Sequence, residues 1–569
     1  MQDDTEHQIG VVETLFSTAL CGVLFAVVGG QPLVVLGVTG PIVIFTRTIY
    51  SIAKDLDLDF LQFYAWIGLI ITHRHHTTTG IWSALMHWAL ALANTCRLLK
   101  LVTLLSCETF GVLIAIIYIK DAVTGFVDYF NDYPADAAFA SLLVGLGTFY
   151  VAMTLDGVKQ WSLFVKPIRQ IIADYAMAIA IVIFAGLSYA GKLEESNMPR
   201  LDVPHQFQTT TGRGWLVHFW ELSPKGVFVA LGPGIILTIL FFFDHNVSSL
   251  LSQKREFHLK KPPAYHWDFF VLGVTVVMCS LLGLPFANGL IPQAPLHVYS
   301  LATIKETYEE RKKGDVLITK RTEVWTNVYE NRVSPLMQSA LIGIVLAPYL
   351  LETVGRIPRG VLMGLFLYMG FASFRNNQFF DRILLLVADP VKREKVVKEP
   401  YLYSVPLKVI VAFTLLQLLF LGGVVGITVS DTPAAIAFPV FITLAVPIRK
   451  WLLPRIPGFT HERLDAMDPY VVDEKDQALL DEPDDLDDAD GQDNDLELAT
   501  IEDRTNGDDA SCSDVGGGTA ASVADPMEEG EAAELIQHLT STSPERAEKD
   551  GGSEDENDAK GSEEEDADR

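Results

Sequence analysis

The sequence predicts an all-α polytopic membrane protein built as an inverted-repeat transporter, and three observations predict it. Apolar residues gather in blocks of roughly 15 to 25, and about 20 consecutive apolar residues cross a bilayer as helix. Lys and Arg fall in clusters separated by pairs of those blocks, which sets every cluster on one side of the membrane, the cytosolic side. Two shorter apolar segments, in corresponding halves of the chain, are interrupted by Gly and Pro.

Taken in order, the spans lie near 11–28, 101–119, 136–155, 170–191, 225–243, 267–285, 334–351, 357–372, 405–427 and 432–448. The interrupted segments lie near 38–52 and 288–303, and 61–94 is a span broken by the stretch ITHRHHTTTG (71–80). Basic clusters stand at Arg97/Lys100, Lys159/Lys166/Arg169, Lys254/Arg255/Lys260/Lys261, Arg311 to Arg321, Arg375 to Lys398, and Arg449/Lys450/Arg455. The parity between Lys261 and Arg311 holds only if 288–303, with the turn before it, completes a crossing. The loop from Asp121 to Asp136 then faces out, and the chain beyond Arg455 lies in the cytosol.

The formal net charge of −28 belongs to the tail. Residues 461–569 hold 38 Asp and Glu against 7 Lys and Arg, which leaves a net of +3 for residues 1–460. A segment so acidic and so poor in aromatics cannot bury enough apolar area to offset its ordering entropy, so 456–569 reads as a disordered cytosolic extension, and it argues against nucleic-acid binding. Cys21, Cys96, Cys107, Cys279 and Cys512 are scattered without CxxC spacing, so neither a disulfide framework nor a metal centre is indicated. The polar segment 1–10 is no signal peptide. With no nucleotide loop, nucleophile elbow or metal spacing, an enzyme finds no support and no cofactor is expected.

The first interrupted segment reads GQPLVVLGVTGPIVIF (30–45). Thr39 or Gly40 can cap a helix there, and Pro41 suits a first turn where no amide hydrogen is needed, so the helix starts inside the membrane. The second reads GLPFANGLIPQAPLH (283–297), with Asn288 as the cap. Irregular backbone at membrane depth must line a cavity or be buried in protein. Half-helix N-termini so placed present free amides and positive dipole ends to an anion, whereas two kinked but continuous helices are the plainer alternative.

Asp244, at the end of the apolar run IILTILFFFD, is a functional candidate because a carboxylate at membrane depth is expensive unless it faces a polar cavity. A carboxylate at the cytosolic interface, bonded to backbone or to Lys254, fits the composition equally. His245 could share its proton. Asp174 reads as an ion-pair partner for Arg169 or another basic group.

The motifs GGQPLVVLGVTGP (29–41), FFFDHNVSSLL (241–251), GLPFANGLIPQAPLHVYSLAT (283–303), YENRVSP (329–335) and QFFDRI (378–383) resemble, in order, those of the bicarbonate and anion exchanger family of solute carriers. The second half-helix is similar to the borate branch, in which Gln293 stands where animal exchangers more often carry a basic residue. The resemblance implies fourteen segments in a seven-plus-seven inverted repeat across 11–455, a core domain moving against a gate domain, and an anion site between the third and tenth segments. It places Thr39, Gly40, Asn288 and Gln293 at the substrate and Asp244 at the coupling position. The implied function is borate efflux by alternating access from an integral protein of the plasma membrane, in contact with lipid, in a family that often forms homodimers. A chloride/bicarbonate exchanger with the same site is the alternative.

Two departures from the family pattern stand out. The sequence starts at what resembles the loop before the second span, so a truncated, non-transporting homologue is a further alternative. Joining Leu69 to Trp82 restores one run of 22 residues, 61–69 with 82–94. The intervening Arg74 alone would cost about 2.5–3.5 kcal/mol at a helix centre. Residues 70–81 therefore read first as an insertion from unspliced sequence, ahead of a real loop or a His-rich metal site at His73, His75 and His76.

Overall fold

The computed structural model describes residues 1–68, 82–253, 257–291, 293–313, 316–375, 377–389, 401–430 and 432–470, with the hairpin at 304–326 described by its backbone. The suspected insertion, Lys254 and the tail beyond 470 lie outside the described residues. Among those described, seven helices are long and apolar enough to cross a membrane, or nine if each of two bent pairs is one span.

The first half opens with α1 (Val11–Val28). Buried Glu13 closes its first turn, accepting from Gly10 N at 2.9 Å and from Thr210 N at 2.7 Å, where helix amides and dipole favour an anion. A two-residue strand, β1 (Leu36–Gly37), leads into α2 (Gly40–Asp55). Next come α3 (Phe60–Gly68) and α4 (Ser83–Leu92), each too short to cross alone. Both pack on the same two later helices. A Cβ added at Gly234 would lie 3.4 Å from Ile67 O and 2.7 Å from Trp82 Cβ, so the end of α3 and the start of α4 converge on one point. The flanking pieces thus occupy the place of one interrupted span.

Helix α5 (Leu104–Asp132) has 29 residues, about 43 Å of helix, and corrects one expectation: Asp121, Asp128 and Asp132 lie on its last turns rather than in a loop. It is followed by α6 (Ala135–Asp156), then α7 (Lys166–Asp174) and α8 (Ala176–Leu187), which meet at 63° in place of one straight span. Asp174 pairs with Lys159 at 2.9 Å, while Arg169 turns to the carbonyl of Trp161.

The second half repeats the order span, strand, helix. Helix α9 (Leu231–Ser252) precedes α10 (Tyr265–Leu282), β2 (Asn288–Gly289) and α11 (Gln293–Leu301). Trp267, early in α10, donates to Val28 O at the end of α1 at 2.8 Å, and Ser17, early in α1, donates to Pro285 O just beyond α10 at 2.5 Å. The two helices are therefore antiparallel, as an inverted repeat requires. Asn288 does not cap α11. It sits in β2, where the prolines and glycines around it hold the chain extended for several residues before Gln293.

The chain then forms a ribbon, β3 (Ala302–Lys313) with β4 (Val316–Val328), inside a sequence expected to be all helix. Glu330, just beyond β4, accepts from the backbone amides of Lys260 and, at 3.3 Å, Lys261. The residues on both sides of α10–α11 thus return to one face, as the parity of the basic clusters demanded.

Helices α12 (Val333–Val345) and α13 (Pro348–Gly355) meet at 81°, because Pro348 has no amide hydrogen to continue α12. Helix α14 (Arg359–Ala372) crosses α6 at backbone distance: a Cβ on Gly360 would stand 2.5 Å from Ser141 O, and one on Gly145 would stand 2.7 Å from Gly360 O. Small residues four apart on each partner allow that approach, the usual route to helix association where lipid removes the hydrophobic drive.

The last elements are α15 (Gln378–Val387), α16 (Leu407–Val429), α17 (Phe438–Pro447) and α18 (His461–Met467). Two buried guanidinium groups join them to the start of α5. Arg382 binds Glu108 at 3.1 Å and Gln417 at 2.9 Å; Arg449 binds Asp468 at 2.7 Å, and Asp468 accepts from Leu105 N at 2.5 Å. Charges so buried are tolerated because each meets a partner and several hydrogen bonds.

Candidate functional site

The two extended breaks meet. β1 and β2 pair antiparallel, Leu36 opposite Gly289 and Gly37 opposite Asn288, and Leu290 N donates to Val35 O at 3.0 Å. This pairing satisfies backbone that neither helix could serve at membrane depth, and it brings the starts of α2 and α11 to one place. Gly37 lets the strands approach closely: a Cβ there would come to 3.0 Å of the Leu290 side chain.

Helix α9 supplies the polar wall. Its apolar run ends at Phe243, but the helix continues to Ser252, so Asp244 stands mid-helix and 2% exposed rather than at an interface. Asn288 Nδ2 donates to Asp244 Oδ2 at 3.0 Å, and Gly289 N donates to Asn288 Oδ1 at 2.8 Å. One turn on, Ser248 donates to Leu290 O at 3.1 Å. His245 lies fully buried against Gly289, with neither ring nitrogen bonded to a described residue.

The start of α2 has one amide without a backbone acceptor. Thr39 is the N-cap with extended backbone but makes no side-chain cap bond. Pro41 carries no N–H, and the amides of Ile42 and Val43 both turn back to Thr39 O at 3.1 and 3.2 Å. That leaves the N–H of Gly40 at the positive end of the helix. The Thr39 hydroxyl faces Asp244 without completing a bond, an unmet donor beside the same amide.

The five expected residues divide. Thr39, Gly40, Asp244 and Asn288 come together, although the amide after Asn288 is occupied by that residue's own side chain. Gln293 begins α11 with its side chain exposed. Two participants were missed. Tyr118 of α5 sets its hydroxyl-bearing edge against Gly40, where a Cβ would be 3.2 Å from both its Cε1 and its Oη. Asp268 of α10 accepts from Gly30 N at 2.6 Å and from Gln31 N at 3.3 Å, fixing the turn between α1 and β1. Tyr118 sits inside an apolar span and Asp268 in a first turn, so neither carried a local signal.

Comparison with known proteins places this architecture. The HCO3- transporter integral membrane domain matches residues 1–137 and 130–471. A putative transporter of Schizosaccharomyces pombe is 36% identical over 82% of this chain and 86% of its own length. Boron transporter 1 of Saccharomyces cerevisiae is 34% identical over 78% and 73%, and putative boron transporter 5 of Arabidopsis thaliana 31% over 82% and 80%. Among solved structures, the transmembrane domain of the cyanobacterial bicarbonate transporter BicA aligns with a TM-score of 0.46 at 13% identity, covering 74% of this chain and 91% of that one. The protein is a member of the bicarbonate transporter family and fits its borate branch.

Proposed function

We propose that this membrane anion transporter moves borate outward by alternating access, with the anion held where α2 and α11 begin. The observation that carries the reading is the convergence of an unspent helix-terminal amide, Gly40 N–H, with the buried Asp244–Asn288 pair. An anion oxygen at Gly40 meets the positive end of α2 and a donor that no backbone carbonyl holds, with the Thr39 hydroxyl alongside. Asn288 reaches the same space if its amide is released from Asp244, and Gln293 can donate from the second half-helix.

Asp244 supplies the coupling. Two negative charges about 4 Å apart repel by several kcal/mol in a poorly polarisable site, so an anion enters with Asp244 carrying a proton or a cation. The relatives named for boron transport favour borate. A sodium bicarbonate cotransporter of Ambystoma tigrinum, 30% identical over 79% of this chain, supports bicarbonate as the second reading. Anion-substitution flux in vesicles reconstituted with the full chain tests both. Borate-dependent efflux that chloride and bicarbonate do not match is expected; flux with bicarbonate alone would replace borate by the second reading.

A further inference from the structure

We propose that the Tyr118 hydroxyl is a removable cap on the anion-binding amide of α2, competing with the anion for Gly40 N–H and thereby setting its affinity. The inference rests on the reading of the α2 N-terminus as the anion site.

Three observations carry it. Of the amides at the start of α2, only Gly40 N–H is left without a backbone acceptor, because Pro41 has none to offer and Ile42 and Val43 are bound to Thr39 O. A buried donor left unmet is costly, so something must accept from it. The Tyr118 hydroxyl oxygen is the acceptor that faces it, with the phenol edge so close that a Cβ on Gly40 would stand 3.2 Å from it.

The ring is also held from behind. Tyr118 stacks on Phe366 of α14, centroids 5.9 Å apart and planes within 4°. The cap therefore comes from α5 and α14, which pack on each other, whereas Gly40, Asn288 and Asp244 belong to elements joined by the β1–β2 pair. A contact across two sets of elements can be broken when one set shifts against the other. An anion oxygen arriving at Gly40 takes the acceptor position, and the hydroxyl keeps its own proton, with no bond made or broken beyond the exchanged hydrogen bonds.

The test is Tyr118→Phe in the full chain, which keeps the ring and its stacking and removes only the oxygen. Isothermal titration of the purified protein with sodium borate, at a pH where the borate anion is present, reads affinity independently of transport. The expected result is a Kd lower by about five-fold, the worth of one neutral hydrogen bond, with the KM for efflux falling in parallel, and an unfolding temperature slightly lowered without borate but equal to the parent's at saturating borate. A purely structural tyrosine would instead lower the unfolding temperature with and without borate and leave Kd alone, and an anion ligand would raise Kd; either result overturns the proposal. Asn288→Ala in the same titration separates the two levels. Weakened binding in that variant with no gain in Tyr118→Phe removes the cap alone, whereas unchanged binding in both removes the site itself.

Discussion

Asn288 Nδ2 donates to Asp244 Oδ2 at 3.0 Å, and both side chains are buried. The pair ties the extended break before α11 to the middle of α9. Asp244→Asn preserves the shape and removes the charge that changes. Borate flux in vesicles is expected to lose its dependence on pH or to stop; a flux with the parental pH profile would remove Asp244 from the mechanism. Asn288→Ala leaves Asp244 without its partner and is expected to destabilise the protein by roughly 1–3 kcal/mol, read by thermal unfolding in detergent.

The Arg382–Glu108 pair binds α15 to the start of α5. Arg382→Met strands a buried carboxylate, and breaking such a pair from one side costs about 3–5 kcal/mol. The double variant Arg382→Met with Glu108→Gln is expected to recover most of the loss. Additive losses in the double-mutant cycle would show that the two side chains do not act on each other.

At the α6–α14 crossing, Gly364 faces the backbone of Gly145 as closely as Gly360 faces Ser141. Gly364→Leu must push two helices apart and is expected to cost at least about 1–3 kcal/mol from overpacking. Unfolding temperature and monodispersity in detergent measure it; a variant as stable as the parent would mean that the helices separate freely.

Helices α3 and α4 already converge beside Gly234, so deleting residues 70–81 is expected to leave one regular span and raise the unfolding temperature. A deletion variant that fails to accumulate in membranes would show instead that the twelve residues belong to the working protein. Sequencing the transcript across codons 66–85 addresses the same question from the other side.

Cys96 lies beyond the end of α4, fully buried, and burial pushes its thiol up to about 12. The reactive form is the thiolate, which is populated only as pH approaches that value. Alkylation with iodoacetamide at neutral pH, read by mass spectrometry, is expected to leave Cys96 unmodified in the folded chain and to label it after unfolding. Rapid native labelling would mean that this segment opens.

Much of the architecture was legible because the bilayer imposes length. The run Val11–Val28 matches its helix residue for residue, and the parity of the basic clusters anticipated that Lys260 and Glu330 share a face. The two Gly/Pro breaks were legible for a related reason, since proline and glycine disrupt a helix whatever surrounds it. Less could be read where a local rule gave way to a neighbour. Asp244 looked like the end of a span because its apolar run stops there, yet the helix continues, with Asn288 meeting Asp244 and the Leu290 carbonyl meeting Ser248. Asn288 looked like a helix cap and is instead a strand residue, because β1 offers it a partner, Gly37, 251 positions away in the chain.

By itself the sequence determined where the long apolar helices run and where two of them must break, because hydrocarbon tolerates neither exposed charge nor unpaired backbone. Only the tertiary structure decided what the breaks meet. It paired them with each other, set Asp244 beside Asn288, spent every early amide of α2 but one, and laid Tyr118 across that amide. Those relations join residues tens to hundreds of positions apart, and no periodicity, cap or spacing in the chain encodes them; they exist only once helices pack.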